Sequence, residues 1–208
     1  MKGILTLPND SRWLILFIKG KETELYNLRI QYISEYLNKD GISTLILDLY
    51  NSKEKNNISS QFKIDADLLA QAVTYLTDWL IDYEYTKNKL IGYFGLNIGS
   101  MSALIAGNQR PNSVSVIVCG GRIPNLNSNH SFMDITCPIL IIADEKDTQV
   151  TDSSQQYLEE LLPNAKKKKL ITLLNVNSLF DERAKLDEVA KKASGWFRCY
   201  FQIKENDV

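Results

Sequence analysis

Hydrophobic positions along this chain gather in short unbroken blocks. WLILFI at 13–18, TLILDL at 44–49, KLIGYF at 89–94, VSVIVC at 114–119 and PILIIA at 138–143 are the clearest, and a less regular block lies at 169–174. Blocks of this length without polar alternation suit strands covered on both faces. Between them the period becomes helical. Leu25, Leu28, Tyr32, Tyr36 and Leu37 share one helical face, with Gly41 placed to end that helix at C′. Leu68, Leu69, Ala72, Val73, Leu76 and Leu80 mark a second helix, and Met101, Leu104 and Ile105 a third. Tyr157, Leu158, Leu161 and Leu162, closed by Pro163, mark a fourth. Leu186, Val189, Ala193, Trp196, Phe197 and Tyr200 mark the last.

Strand and helix thus alternate. The order predicts a single α/β domain over 1–208: a mostly parallel sheet of about six or seven strands with helices on both faces and right-handed crossovers. Ligands of such sheets sit at the carboxyl ends of the strands. Chemistry is therefore expected just after Ile18, Phe94, Cys119, Ala143 and Leu174. Two segments interrupt the alternation: a polar loop at 51–60, and a longer loop at 122–136 that holds the lone histidine, His130. The four lysines Lys166, Lys167, Lys168 and Lys169 read better as a solvated approach to the next strand than as a phosphate site.

Composition changes this picture little. With 44% apolar residues the chain can build a sizeable core, and a formal net charge of −1 argues against a nucleic-acid partner. The apolar run ahead of Pro8 is too short for a secretory leader, and no window approaches the roughly 20 apolar residues of a membrane span, so no membrane partner is expected. Cys119, Cys137 and Cys199 lack ligand spacing and read as reduced thiols of a cytoplasmic protein. Asp144, Glu145, Asp147 and Asp152 crowd one loop without a histidine, a weak metal signal. No metal and no cofactor are expected. The aromatic-rich end (Trp196, Phe197, Tyr200, Phe201) exceeds what one helix face needs; core packing explains most of it, and a homodimer surface would explain the rest.

The most informative stretch is LIGYFGLNIGSMSALIA at 90–106, the outline of a strand, a sharp turn and a helix. Many hydrolases carry G-x-S-x-G at such a turn, with the serine as nucleophile. Here Gly95 and Gly99 keep the glycines, and Asn97 stands at the centre. LILFIKG, GISTLILDLY, FKIDADLLAQAVTYLTDWL, VIVCGGRIPNL, CPILIIADEKDTQV and NVNSLFDERAKLDEVAKKASGWF surround it in order. With these pieces nearly the whole chain resembles the α/β-hydrolase fold and, within it, the compact dienelactone-hydrolase-like proteins.

The resemblance implies an elbow nucleophile at position 97, an orienting acid at Asp147 and a histidine at position 178, because NSLF stands where the family typically has THLF. Asn97 and Ser178 both depart from that pattern. So does Lys19, which takes the place of a histidine ahead of Gly20. A carboxamide's nitrogen lone pair is delocalised into its carbonyl and cannot be activated by deprotonation near neutral pH, and a serine hydroxyl does not shuttle protons there. Asn97 does suit the turn, because asparagine tolerates positive φ better than most residues.

The expectation is therefore an α/β-hydrolase-fold protein without acyl-transfer catalysis that keeps a pocket for a small carboxylate- or phosphate-bearing ligand. Lys19, Gly20, Leu96, Ile98, Cys119 and Arg122 would line it, and the helix starting near Ile98 would turn free N–H groups toward an anion. Such a protein would act by binding a ligand or another protein; some relatives are joined to phosphoribosyltransferase domains. The alternative is a hydrolase of small esters or lactones with Cys119 as nucleophile, activated by Lys19 or Arg122. Read as a residue, Cys119 is more simply a small buried hydrophobe. Ser100 and Ser102 are expected to pack or cap, and His130 to lie at the surface.

Overall fold

The computed structural model describes residues 2–20, 24–48, 66–121, 132–144, 154–173 and 183–206. Its elements run β1 Lys2–Thr6, β2 Trp13–Ile18, α1 Glu24–Lys39, β3 Ser43–Asp48, α2 Ala66–Asp82 and β4 Leu90–Leu96. They continue with α3 Ile98–Gln109, β5 Val114–Gly120, β6 Ile139–Asp144, α4 Ser154–Leu161, β7 Lys168–Leu173 and α5 Arg183–Asn206. The strands form one seven-stranded sheet in the order β1-β3-β2-β4-β5-β6-β7, parallel except for β1 against β3. All six apolar blocks become parallel strands. β1 is the strand the apolar pattern misses: it sits at the sheet edge, where only part of its surface is covered, and its Ile4 is exposed.

Two cores result, one on each face. α2, α3 and α4 bury Leu69, Val73, Leu104 and Leu158 against one face of the sheet. On the other face α1 and α5 bury Ile30, Ile33, Val189 and Phe197. Gly41 ends α1 as expected, with φ +79. The Ile42 N–H donates to Leu37 O (3.0 Å) and the Gly41 N–H to Asn38 O (3.0 Å), the paired bonds of a Schellman cap.

Two sequence expectations about faces need correction. On α1 the buried stripe is Ile30, Ile33 and Leu37, while Leu28 is 64% exposed. On α2, Leu68 is likewise exposed, so the inward stripe begins at Leu69. The aromatic-rich end mostly serves the core: Phe197 and Phe201 are fully buried, Phe201 stacks on Trp13, and Phe197 meets Phe94. Trp196 and Tyr200 are half-buried and pack on each other.

Candidate functional site

The parallel register brings the carboxyl ends of β2, β4 and β5 side by side. Ile18 lies opposite Gly95, and Leu96 opposite Gly120. Lys19–Gly20, Asn97 and Gly121 therefore follow three adjacent strands at one edge of the sheet. The turn between β4 and α3 is a nucleophile elbow in its backbone. A Cβ on Gly95 would lie 2.5 Å from Gly99 O and 2.6 Å from Ser100 Cα. A Cβ on Gly99 would lie 2.1 Å from Ile18 O and 2.6 Å from its carbonyl carbon. Both glycines are thus required by backbone atoms that have nowhere to go.

Asn97 sits between them at φ 51 and ψ −116. Positive φ is as expected, but the reason differs. These angles lie outside the left-handed helical region that asparagine favours. They match the first central residue of a type II′ turn, a conformation that costs a non-glycine residue about 1–3 kcal/mol. The surrounding contacts hold the strained residue in place. Its N–H donates to Gly120 O (3.0 Å), and its carbonyl accepts from the Ser100 N–H (2.9 Å). Its carboxamide does not cap α3. Instead Oδ1 lies over Gly121, where a Cβ would come within 2.5 Å of it. Gly121 itself has φ +78, so the Gly-Gly-Arg turn needs its second glycine for both backbone and space.

Ser100 Oγ lies 3.0 Å from Gly95 O and 3.1 Å from Gly120 O, and its hydroxyl donates into that pair, tying α3 to two strand ends. Ser102 Oγ donates toward Ala66 O (2.9 Å) and Ile98 O (3.1 Å). Both hydroxyls are fully buried and engaged with backbone carbonyls, as the packing-or-capping expectation has it. Farther along α3's flank, Arg110 grips the Asp78 carboxylate with two nitrogens at 2.8 Å, which holds that carboxyl below its usual range. The pair joins the end of α3 to α2.

Cys119 is fully buried, with its Sγ 3.7 Å from Ser100 O. Burial pushes its thiol up to about 12, and that of Cys137 also to about 12. At neutral pH the group is a protonated thiol within the α3-side core, in the manner of a small hydrophobe. The consequence can be measured. Above 9.0, the ordinary thiol value, the unfolded chain loses these protons while the folded chain keeps them. Stability should therefore fall as pH rises from 9 toward 12, by up to about 1.4 kcal/mol per pH unit for each thiol. Urea denaturation of Cys119→Ala should show a slope smaller by one proton's share. Native protein treated with iodoacetamide near neutral pH should be modified at the exposed Cys199 and not at Cys119.

On the β2 side, Lys19 is 9% exposed, so most of its side chain is covered by the protein. Gly20 is buried against Ile98, whose Cγ2 would stand 2.5 Å from a Cβ there. Leu96 is 1% exposed and packs into the α1–α5 core, and Ile98 packs against the other core. The structure thus brings Lys19, Gly20, Leu96, Asn97, Ile98 and Cys119 to one end of the sheet. Arg122, His130, Asp147 and Ser178 lie outside the described residues. Among the described residues no cluster of His, Cys, Asp and Glu has the makings of a metal site. None of the described helices is long and apolar enough to cross a membrane.

Sheet order, crossovers and elbow together define an α/β hydrolase. No family model matches the chain. Among solved structures it is similar to the dienelactone hydrolase of Anabaena variabilis, at 31% identity and a TM-score of 0.83, over 95% of this chain and 91% of that one. It is also similar in fold to Est1E from Butyrivibrio proteoclasticus, at 16% identity and a TM-score of 0.73, over 97% and 95% of the two chains. A Mycobacterium tuberculosis protein named as a phosphoribosyl transferase is 32% identical over 196 residues, which are 94% of this chain and 43% of that protein. The chain therefore belongs to the dienelactone hydrolase family. It spans less than half the length of the curated relatives it matches.

Proposed function

We propose that this protein uses the dienelactone hydrolase scaffold to bind a small anion at the elbow, without acyl transfer. The observation that carries the reading is Asn97. The backbone is held at φ 51 between two glycines that backbone atoms require, yet the side chain at the attacking position is a carboxamide. Two features favour an anion. The N-terminus of α3 opens onto the turn, where helix N–H groups attract negative charge. Lys19, in the adjoining wall, adds a cation. Asp147 and Ser178 fill the acid and histidine positions by resemblance, and the second lacks a base. We place the protein in a reducing, cytoplasmic setting, without metal or cofactor. A protein partner is part of the reading, since the mycobacterial relatives carry this kind of domain within a longer chain.

Thermal-shift measurements with acetate, benzoate and inorganic phosphate test it. At a tenfold excess over Kd the midpoint should rise by roughly 3–5 °C. Lys19→Met should abolish the rise. No shift with any of the three at millimolar concentration would sink the proposal.

Likeness to the Anabaena enzyme supports a competing reading, hydrolysis of small esters or lactones. In the form that uses Cys119, it needs a thiolate where burial holds the thiol at about 12. Labelling by a fluorophosphonate or turnover of a p-nitrophenyl ester would favour this second reading.

A further inference from the structure

At the opposite end of the sheet, away from the elbow, the described residues enclose a cleft of about 200 Å³. It opens where β5, β6 and β7 begin and the last turns of α5 pass over them. Pro111, Val114, Pro138, Tyr200 and Ile203 give it apolar walls, and Lys166, Lys167 and Lys204 stand among its lining residues. Two facts separate it from an ordinary surface dent. Its floor is apolar and largely covered: Val114 and Cys137 are 3% and 8% exposed, while Ile203 at the rim is 49% exposed. Its charge is also of one sign. The lining holds three lysines and no carboxylate, in a chain whose acidic residues outnumber its basic ones by 25 to 24. The neighbouring Lys168 shows the contrast, since it is engaged by Glu159 at 2.5 Å. The backbone there is firmly tied: the Lys166 N–H donates to Thr136 O (3.0 Å) and the Ile139 N–H to Lys167 O (2.8 Å). The lysines therefore project from a rigid frame.

We infer that this cleft binds a small amphiphile, an anionic head on a short apolar body. The body would displace water from Val114, Pro138 and the Tyr200 ring and cover Ile203, and the head would meet the three ammonium groups. The part of the lysine run at 166–167 thereby acquires a role that the solvated-approach reading does not give it. The site is independent of the elbow: the two lie at opposite ends of the strands.

The probes are octanoate, octyl phosphate, octanol and inorganic phosphate, titrated calorimetrically into the full chain at low salt. A ligand of this size should bind octanoate-like with a Kd of about 1 mM or tighter. In Lys19→Met, where the elbow no longer contributes, octanol and inorganic phosphate, each lacking one half of the ligand, should bind about tenfold more weakly than octanoate. Octyl phosphate binding more tightly than octanoate would assign the head as a phosphate; the reverse would assign a carboxylate. Lys166→Gln, Lys167→Gln and Lys204→Gln combined should weaken binding about tenfold, as expected for three exposed charges. Ile203→Glu, a change at an exposed position, should do the same by placing a carboxylate on the rim. The titrations are repeated in Lys19→Met, which disables the anion site proposed at the elbow, so that octanoate binding remaining in that variant reports this cleft alone. The inference is overturned if octanol matches octanoate, if the lysine and Ile203 variants bind normally, if Lys19→Met abolishes the signal, or if no heat is detected up to about 10 mM.

Discussion

Gly99→Ala should be among the most damaging single-methyl changes this protein can suffer. The added carbon would sit 2.1 Å from Ile18 O and 2.6 Å from the carbonyl carbon behind it. Those are backbone atoms of β2, the strand paired with β3 on one side and β4 on the other, so neither can move without breaking the ladder. Nor can α3 retreat easily. Its residues from Gly99 to Gly107 are all buried, and Ser100 ties its first turn to Gly95 and Gly120. Overpacking that must move backbone belongs at or above the upper end of the usual range, about 3 kcal/mol or more. For a domain of this size that lowers the melting temperature by roughly 6–12 °C, or prevents folding. Gly195→Ala is the control: it lies in α5 with nothing within 4 Å of its Cβ position. There the change should stabilise by about 0.5–1 kcal/mol, because alanine is the better helix former. Equal effects at the two positions would show that the close approach of α3 to β2 is wrong.

Installing a serine–histidine pair gives the second large effect. The double variant Asn97→Ser with Ser178→His should hydrolyse p-nitrophenyl acetate about a hundredfold faster than either single variant, the lower end of what positioned acid–base catalysis supplies. Serine is smaller than asparagine, so it fits the space over Gly121 and inherits the elbow backbone. Neither single change should suffice. A serine without a base stays protonated, and a histidine without a nucleophile has nothing to activate. Fluorophosphonate labelling at position 97 provides a readout besides turnover. A folded double variant that neither labels nor turns over ester would refute the view that the two departures alone silence the site. It would point instead to the oxyanion side, where Ile98 packs on Gly20 and Lys19 replaces the family's histidine.

How much of this was legible beforehand differs from element to element. The apolar blocks predicted every parallel strand, because strands buried on both faces must be apolar throughout. The edge strand β1 escaped because its environment asks for no such pattern. The glycines at 95 and 99 announced the elbow, and Gly41 announced the end of α1, since those backbone conformations leave few other choices. The α1 stripe was legible in part: Leu37 is buried and Tyr32 and Tyr36 pack against the same core, while Leu28 is exposed and Ile30 and Ile33 face inward instead. Apolar residues recur at helical spacing on both of these lines, and periodicity cannot say where the boundary of the buried face falls. For Asp147, Ser178, Arg122 and His130 the assignment rests on the sequence alone, because they lie outside the described residues.

By itself, then, the order of residues determined the alternating architecture, the place of the turn at 95–99 and the carboxamide at its centre, since each follows from local pattern or residue identity. Only the tertiary structure decided which helix faces turn inward, that Cys119 is a buried protonated thiol, that Asn97 adopts ψ −116 with its carboxamide over Gly121, and that three lysines flank an apolar cleft at the far end of the sheet. These depend on contacts between segments distant in the chain, such as Ile18 against Gly99, and such contacts leave no periodic trace in either segment.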